Sequence, residues 1–289
     1  MTEPTTDVIA IGNAIVDVMA PCEDELVERF GLVRGGMTLV DTDRAHELYG
    51  AMGPAREISG GSAANTLAGL AALGSRCAFI GQVADDQLGE VFAHDIRAGG
   101  ISFATPARAG DPPTARCLIF VTPDGQRTMN TYLGACQALT EADVDEATVK
   151  AAKIVYLEGY LWDPPEAKKA FVVAAHFAHK HDRPTAITLS DPFCVNRYRD
   201  EFLDLMRSKT IDYVFANIEE AKALYRTDNL SEAVQQLAKD CELAAVTMGA
   251  QGAMAIRDGE IVTVPTFPVP DVVDATGAGD LFASGFLLA

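Results

Sequence analysis

Short β-rich runs alternate with helical patterns along most of this 289-residue chain. The β-rich runs are DVIAIG from Asp7, CAFIGQV from Cys77, KIVYLEG from Lys153, TAITLS from Thr185, DYVFAN from Asp212 and AAVTMG from Ala244. The helical patterns cover residues 62–73, 87–98, 164–181 and 231–240, with Ser62 and Ser231 as the expected N-caps of the first and last. Because parallel strands need long crossover connections, usually helices, the alternation predicts an α/β fold with a mainly parallel central sheet and helices on both faces.

Two stretches interrupt this alternation. One covers residues 33–41, and the other covers residues 101–131, where RCLIFVTPDGQRTMNTY predicts two strands joined by a Pro-Asp-Gly turn. We expect residues 17–41 and 101–131 to form a small β lid, and residues 1–16, 42–100 and 132–289 to form the α/β core. A lid built from two insertions would lie over the mouth of the main sheet, where its closure would exclude water from a bound substrate.

The charge balance limits the classes of partner. Asp and Glu number 41 against 23 Lys and Arg, which gives a formal net charge of −18, and the basic residues form no cluster. Such a surface repels a nucleic-acid backbone. No run of about 18 apolar residues occurs that would span a bilayer, no basic segment precedes an apolar N-terminal run, and the six cysteines show no CxxC spacing. We therefore expect a cytoplasmic protein that contacts neither nucleic acid nor a membrane.

The segment VVDATGAGDLFASGFLLA near the C-terminus combines a turn of small residues with a carboxylate. Asp274 leads to Gly277, Ala278 and Gly279, and Asp280 begins an apolar helical pattern. With little or no side chain in the turn, the backbone N–H groups at the start of a helix predict an anion hole for a transferring phosphoryl group. Asp280 would accept the proton of an attacking hydroxyl, with the low basicity of a carboxylate at a helix N-terminus. The alternative is a tight turn before an ordinary helix-initiating acid.

A second glycine-rich segment is ISGGSAANTLAGLAALG. Gly60 and Gly61 precede a helical pattern that carries Asn65 in its first turn. The glycines let a ligand approach the backbone, and the Asn65 amide can both donate to and accept from hydroxyl groups. The alternative is a helix capped by Ser62 that packs through small residues.

Three other kinds of site fit the sequence less well. In HFAHKH, His176 and His179 share a helical face but His181 does not, and no Cys or carboxylate stands at a matching offset, so a polar helix end is favoured over a metal site. No GxxxxGK[ST] loop occurs, which excludes a P-loop kinase. The first strand leads to GNAIVD and not to GxGxxG, which argues against a dinucleotide-binding fold.

With both glycine motifs present, the chain resembles the PfkB, or ribokinase-like, family of carbohydrate kinases. GGSAAN matches one family signature, and DATGAGD matches the other, with Ala275 where Thr is common. The resemblance spans essentially the whole chain. It implies a ribokinase-like fold with a β-sheet lid, and a phosphotransferase that uses ATP and Mg²⁺ to phosphorylate an alcohol group.

The resemblance also implies roles for residues around the acceptor. Asp17 in GNAIVD would bind substrate hydroxyls, helped by Asn13, Gly61 and Asn65. A carboxylate is a strong acceptor for paired hydroxyls, and this one follows the first strand at the carboxyl edge of the sheet. Arg127, in the lid hairpin, would swing over and neutralise phosphate charge; the alternative for a lone Arg after a turn is a surface residue.

Two further motifs imply a nucleotide side to the site. NIEE matches the family pattern NxxE through Asn217 and Glu220, and TMGAQG matches TxGxxG through Thr247, Gly249 and Gly252. Glu220 would organise water around Mg²⁺, a cation that keeps much of its hydration shell.

Within the family, the segments GNAIVDV, PTARC, EGYLW and LSDPF are most similar to the adenosine-kinase branch. This implies a nucleoside acceptor, whose base would pack on Tyr160 with Trp162, or on Phe193. The alternative for these aromatic residues is the core. A sugar kinase of the ribose or fructose type, and a catalytically silent ligand-binding homologue, stay open.

The resemblance carries two expectations about the whole chain. Many members of the family pair through their lids, which would give a homodimer. Members also continue past the DATGAGD motif with elements that help to build the ATP adenine pocket, so a chain that stops at Ala289 is expected to lack them.

Overall fold

The computed structural model describes residues 4–269 and 277–289. The strands in these residues are β1 (Thr6–Ile11), β2 (Ile15–Pro21), β3 (Met37–Leu39), β4 (Arg56–Gly60), β5 (Cys77–Ile80), β6 (Ile101–Phe103), β7 (Ala115–Val121), β8 (Arg127–Tyr132), β9 (Ala152–Glu158), β10 (Thr185–Thr188), β11 (Tyr213–Asn217), β12 (Leu243–Thr247), β13 (Ala253–Arg257) and β14 (Glu260–Val264). The α-helices in the same residues are α1 (Asp24–Arg29), α2 (Thr42–Ala51), α3 (Ser62–Ala72), α4 (Gln87–Ala98), α5 (Glu146–Lys150), α6 (Pro165–Lys180), α7 (Pro192–Arg207), α8 (Ile218–Tyr225), α9 (Leu230–Asp240) and α10 (Ala278–Leu288).

The larger of two sheets has nine strands within the described residues, in the order β14-β13-β12-β11-β10-β9-β1-β5-β6. Neighbours from β6 to β12 pair in parallel, whereas β13 and β14 are antiparallel. All six β-rich runs in the sequence lie in the parallel part. The predicted α/β class and mainly parallel sheet are therefore confirmed.

Hydrophobic cores lie on both faces of this sheet. Successive strand residues point to opposite faces, so Ile9 and Ile11 of β1 pack with Phe171 of α6, while Val8 and Ala10 pack with Leu67 of α3. Helices α6 to α9 contribute to the first core, and α3, α4 and α10 contribute to the second. No helix in residues 4–269 and 277–289 is both long and apolar enough to span a bilayer.

The smaller sheet has five described strands in the order β3-β8-β7-β2-β4. Strands β7 and β8 form the predicted antiparallel hairpin. The strand pairing differs from the expected division of the chain at two places. Strand β4, placed with the core at residues 42–100, pairs antiparallel with β2 in the small sheet. Strand β6, placed with the lid, follows the crossover helix α4 and pairs in parallel with β5 in the large sheet.

The expected serine caps are wrong. Gly61 is the N-cap of α3, and Asn229 is the N-cap of α9, where its side chain accepts from the Ser231 amide at 2.9 Å. An Asn side chain is as good a cap as Ser, so α9 starts one residue earlier than the sequence suggested. At α3, the result is that the Ser62 hydroxyl is available for another contact.

Candidate functional site

A cleft of about 500 Å³ lies between the carboxyl edge of the large sheet and one face of the small sheet. Its floor includes residues at the carboxyl ends of β9 to β12, and its roof includes residues of β2, β7 and β8. Carboxyl ends of parallel strands are where ligands bind in open α/β sheets. The sequence-predicted site residues that line it are Asn13, Asp17, Gly61, Asn65, Tyr160, Phe193, Asn217, Glu220, Thr247, Gly277, Ala278, Gly279 and Asp280.

The turn of small residues forms the start of α10. Gly277 is its N-cap in the left-handed region, at φ 73°, where a side chain would be strained. Gly277, Ala278 and Gly279 all line the cleft, so the first N–H groups of the helix lie beside it. Asp274 and Ala275 of the same motif lie outside the described residues.

Asp280 lies in the first turn of α10 and faces α3. Its Oδ1 accepts from Ser62 Oγ at 2.6 Å, and its Oδ2 accepts from Asn65 Nδ2 at 3.2 Å. Burial raises the pKa of Asp280 above its ordinary value, although both hydrogen bonds act to lower it. The expected low basicity is therefore corrected, because desolvation of the carboxylate outweighs the donors around it.

Asp17 lies on β2 and faces the cleft from the small sheet, so its expected place at the carboxyl edge of the main sheet is wrong. Burial raises its pKa to about 6, opposed by the charge of Arg127. Arg127, the first residue of β8, does not line the cleft but is close enough to act on Asp17.

The two glycines before α3 have different roles. A Cβ on Gly60 would lie 2.7 Å from Asp17 Oδ2, so Gly60 makes room for that carboxylate rather than lining the cleft itself. Gly61 does line the cleft, at φ 99°, and a side chain there would collide with the Asn13 carbonyl oxygen. Only Gly61, which borders the ligand space, requires glycine; a side chain at Gly60 would have to displace the Asp17 carboxylate.

Glu158 is a central residue of the site that the sequence analysis missed. At the carboxyl end of β9 and only 1% exposed, it accepts from Asn13 Nδ2 at 2.7 Å and from the Ala63 amide at 2.9 Å. Burial raises its pKa to about 7. The sequence did contain a signal for Glu158, because it is the acid at the end of the apolar run KIVYLEG. A charge at the end of a buried strand needs partners.

Asn217 and Glu220 form a capping box at the start of α8. Glu220 is 4% exposed, and its carboxylate accepts from the Asn217 amide at 2.9 Å and from Asn217 Nδ2 at 2.5 Å. Burial is the largest cause that raises the pKa of Glu220 to about 7, and the charge of Asp191 adds to it. Both partners line the cleft, so the capping box lies at its wall.

The glycines of TMGAQG lie beyond the cleft lining. Thr247 ends β12 and borders the cleft, whereas Gly249, at φ 56°, lies in the short 3₁₀ turn that follows. Gly252 has φ 99°, and a side chain there would collide with the Val264 carbonyl oxygen of β14. Close backbone approach between β13 and β14 therefore explains Gly252.

The aromatic candidates separate into two groups. Tyr160 lines the cleft, with its amide donating to Ser190 Oγ at 2.9 Å, and Phe193 lines it while 61% exposed. Trp162 is 4% exposed and packs against Phe171 in the core, so its expected place beside a base is wrong. Its ring packs in the core, while its indole N–H donates to Glu201 Oε2 at 2.9 Å, so burial leaves no polar group of Trp162 unpaired.

The cleft is strongly acidic. The carboxylates that line it are Asp17, Glu158, Asp163, Asp191, Glu220 and Asp280. Arg197 is the single Lys or Arg among its described lining residues. These carboxylates would repel an anionic ligand, and an accompanying cation would offset that repulsion.

The histidines of HFAHKH serve as ordinary polar contacts. His179 Nε2 lies 2.8 Å from Asp212 Oδ2, and His181 Nε2 lies 2.8 Å from Glu146 Oε1. Over the described parts of the chain, no group of three or more His, Cys, Asp or Glu is arranged to hold a metal ion.

Comparisons with known proteins agree on one family. The sequence model of the pfkB family of carbohydrate kinases matches residues 5–289. The crystal structure of adenosine kinase from Sinorhizobium meliloti is 57% identical, has a TM-score of 0.91, and is matched over 98% of this chain and 86% of that one. A probable sugar kinase from Rhizobium etli is 53% identical, with a TM-score of 0.92 and the same coverages, 98% and 86%. Adenosine kinase from Saccharomyces cerevisiae is 26% identical over 306 residues, which is 98% of this chain and 88% of that protein.

Proposed function

This chain belongs to the pfkB family of carbohydrate kinases, and we propose that it transfers the γ-phosphoryl group of ATP to the hydroxymethyl group of a nucleoside, with adenosine preferred. The observation that carries the proposal is that one cleft brings the helix start at Gly277 and the Asp280 carboxylate together with the hydroxyl-binding candidates Asn13, Asp17 and Asn65.

The reacting groups have clear roles in this arrangement. Asp17 and Asn65 would hold acceptor hydroxyls, because a carboxylate accepts and an amide both donates and accepts. The attacking hydroxyl would pass its proton to Asp280 as its oxygen bonds to the γ-phosphorus, and the bond from phosphorus to the bridging oxygen would break to release ADP. The N–H groups at the start of α10 would donate to the oxygens of the transferring group, whose charge builds in a loose transition state.

The raised pKa of Asp280 suits it to this role. A carboxylate that is buried but ionised is a stronger base than one in water, and general-base efficiency rises as its pKa approaches the working pH. The proton can leave late in a loose transition state, so a moderate basicity is sufficient.

The acidic lining of the cleft fits a requirement for Mg²⁺. When bound, Mg²⁺ would offset the charge of the donor phosphates that the lining carboxylates would otherwise repel. Glu220 would act on it through water, because both of its carboxylate oxygens already accept from Asn217.

Exposed Phe193 and the cleft-lining Tyr160 support a nucleoside over a free sugar. The relative from Sinorhizobium meliloti is named an adenosine kinase, and the one from Rhizobium etli a probable sugar kinase, so both acceptor classes are to be tested. Stacking of a base on an aromatic side chain contributes ~1–3 kcal/mol, which corresponds to roughly one to two decades in kcat/KM for adenosine over ribose.

The test is ADP release by the purified chain with adenosine, ribose and fructose, in Mg²⁺ and in EDTA. We expect adenosine to be the best acceptor and EDTA to stop the reaction. Phe193→Ala should lower kcat/KM for adenosine and leave that for ribose unchanged, and Asp280→Asn should lower kcat by ~10²-fold or more with every acceptor.

Each outcome bears on a separate part of the proposal. Ribose or fructose turning over at least as fast as adenosine would sink the nucleoside assignment and leave a sugar kinase. ADP release no greater than that of Asp280→Asn with any acceptor would sink the kinase assignment for this chain.

A further inference from the structure

Helices α3 and α10 carry the two glycine motifs and pack directly against each other. Gly69 of α3 permits the close approach, because a Cβ there would collide with Ser284 Oγ and lie 2.9 Å from Leu281 Cδ2. Ser284 Oγ lies 2.7 Å from the Thr66 carbonyl oxygen and 2.9 Å from that of Asp280. The first turns of the two helices are therefore held at a fixed separation.

Ser62 bridges that separation. Its hydroxyl would ordinarily cap the helix, but Gly61 occupies the N-cap position, at φ 99°, where any side chain would collide with the Asn13 carbonyl oxygen. The Ser62 hydroxyl instead donates to Asp280 Oδ1 at 2.6 Å, the shorter of the two side-chain contacts to that carboxylate.

Asn65 makes the other contact, in which its side-chain amide donates to Asp280 Oδ2. Its amide is a candidate for binding acceptor hydroxyls, so acceptor binding would draw it away from the carboxylate. Oδ2 would then be available to take the acceptor's proton, while Ser62 still donates to Oδ1.

We propose that Ser62 is a positioning residue for the phosphoryl transfer proposed above: its hydroxyl fixes the orientation of the Asp280 carboxylate and keeps that carboxylate ionised in a buried site. The inference rests on the proposed function for its catalytic meaning, but the contact itself is a property of the protein without substrate.

Among the described residues, no cation contributes to the pKa of Asp280. Helix α3 presents Ser62 and Asn65 to it and carries no charged side chain, and Asp280 is the single charged residue of α10. From β9, the titratable groups whose pKa values respond to Asp280 are Glu158 and Tyr156. An anionic Glu158 would itself favour protonation of Asp280, so the donors on α3 are what oppose burial.

The test is a ¹³C-carboxyl NMR titration of the protein without substrate, with Asp280→Asn used to assign the Asp280 signal. Loss of a hydrogen bond to a charged group corresponds to a pKa change of ~1 or more, so Ser62→Ala should raise the pKa of Asp280 by ~1. The acid limb of the pH profile of kcat should move upward by the same amount.

Two variants serve as comparisons. Ser62→Thr keeps a hydroxyl and should restore the wild-type pKa. Ser284→Ala removes a hydroxyl from the same pair of helices, but that hydroxyl contacts only carbonyl oxygens, so the pKa of Asp280 should stay unchanged. If Ser62→Ala does not fold, Ser62→Cys keeps the side-chain size with a weaker donor and should raise the pKa in the same direction.

An unchanged pKa of Asp280 in folded Ser62→Ala would overturn the inference, as would an equal rise in Ser284→Ala. If the wild type turns over no acceptor, the proposed function fails while the titration still decides the role of Ser62. If the wild type is active and the acid limb of Ser62→Ala does not move, Ser62 is not a positioning residue.

Discussion

Two effects act in opposite directions on the pKa of Asp17. Burial is the larger and raises the pKa to about 6, whereas the charge of Arg127 acts to lower it. Its carboxylate faces the cleft from β2, opposite the carboxyl edge of the large sheet. The ionisation of this one residue should therefore set how well the acceptor binds near neutral pH.

We expect Asp17→Ala to raise KM for the acceptor by ~10-fold or more, since each lost charge-assisted hydrogen bond contributes ~1.5–3 kcal/mol. KM for ATP should be nearly unchanged. Steady-state kinetics with each substrate varied in turn measure both values. Equal weakening of the two substrates would instead give Asp17 a structural role.

Because Asp17 titrates near neutral pH, we expect KM for the acceptor to depend on pH. As the pH falls through about 6, protonation of Asp17 should raise KM for the acceptor in the wild type. Asp17→Asn has no carboxylate to titrate, so its KM, although higher, should lose this step. A step of equal size in Asp17→Asn would assign the titration to another group.

At the scale of elements, the contact between α3 and α10 joins the two motifs that the sequence shows far apart. Gly69 makes this contact because its missing side chain leaves room for Ser284. Gly285 lies on the exposed side of α10, with nothing near its Cα that an added Cβ would touch. The two glycines therefore form a matched pair for substitution.

Gly69→Ala should lower the free energy of unfolding by ~1–3 kcal/mol, because the added methyl group overpacks the interface and displaces Ser284 from its carbonyl partners. Gly285→Ala should raise it by ~0.5–1 kcal/mol, the gain of replacing glycine within a helix. Urea unfolding of both variants measures the difference. If Gly69→Ala is as stable as Gly285→Ala, the interface is looser than the structure describes.

The helices and strands also show which features a local sequence pattern can predict. The β-rich runs and the hairpin turn predicted strands correctly, because period and turn chemistry are local properties. Residues 56–60 were placed with the core, but they form β4 and pair with β2 in the small sheet, since the choice of partner strand depends on contacts that a five-residue run does not encode. Asn229 caps α9 in place of the expected Ser231. Both residue types are good caps and the two positions lie close together, so the local sequence did not distinguish them.

At the scale of the whole molecule, buried acids make stability depend on pH. The pKa of Glu158 and that of Glu220 are each raised from 4.5 to about 7 by burial. The folded state therefore binds these protons more tightly than the unfolded state does. Glu158 and Glu220 therefore contribute their full stabilisation below pH 4.5, the ordinary pKa of a Glu carboxyl. This contribution is lost as the pH rises through about 7, their pKa in the folded state.

We expect the free energy of unfolding to decline across this range in the protein without ligand. Glu158→Gln keeps an acceptor for Asn13 but cannot ionise, so its decline should be smaller by up to ~3 kcal/mol, because a tenfold change in proton affinity corresponds to about 1.4 kcal/mol. Urea unfolding near pH 4.5 and pH 8 provides the comparison. A decline as steep as that of the wild type would show that Glu158 is not the group responsible.

The sequence by itself determined the class of the fold and predicted where the chemistry lies. Alternating strands and helices require a layered α/β structure, and small residues before a helix that carries Asp280 predict a phosphoryl site. Both properties depend on residues close together in the chain, which is why they can be recognised without the structure.

Tertiary structure alone decided which side chains complete the site. Asn13 meets Glu158 across 145 residues, and Ser62 meets Asp280 across 218, so no local pattern signals either pair. The tertiary structure also places Trp162 in the core. It shows that Gly60 and Gly252 lie where another part of the chain comes close to the backbone. Burial then raised the pKa of Asp17, Glu158, Glu220 and Asp280, because the cost of removing a charge from water depends on what the folded chain places around it.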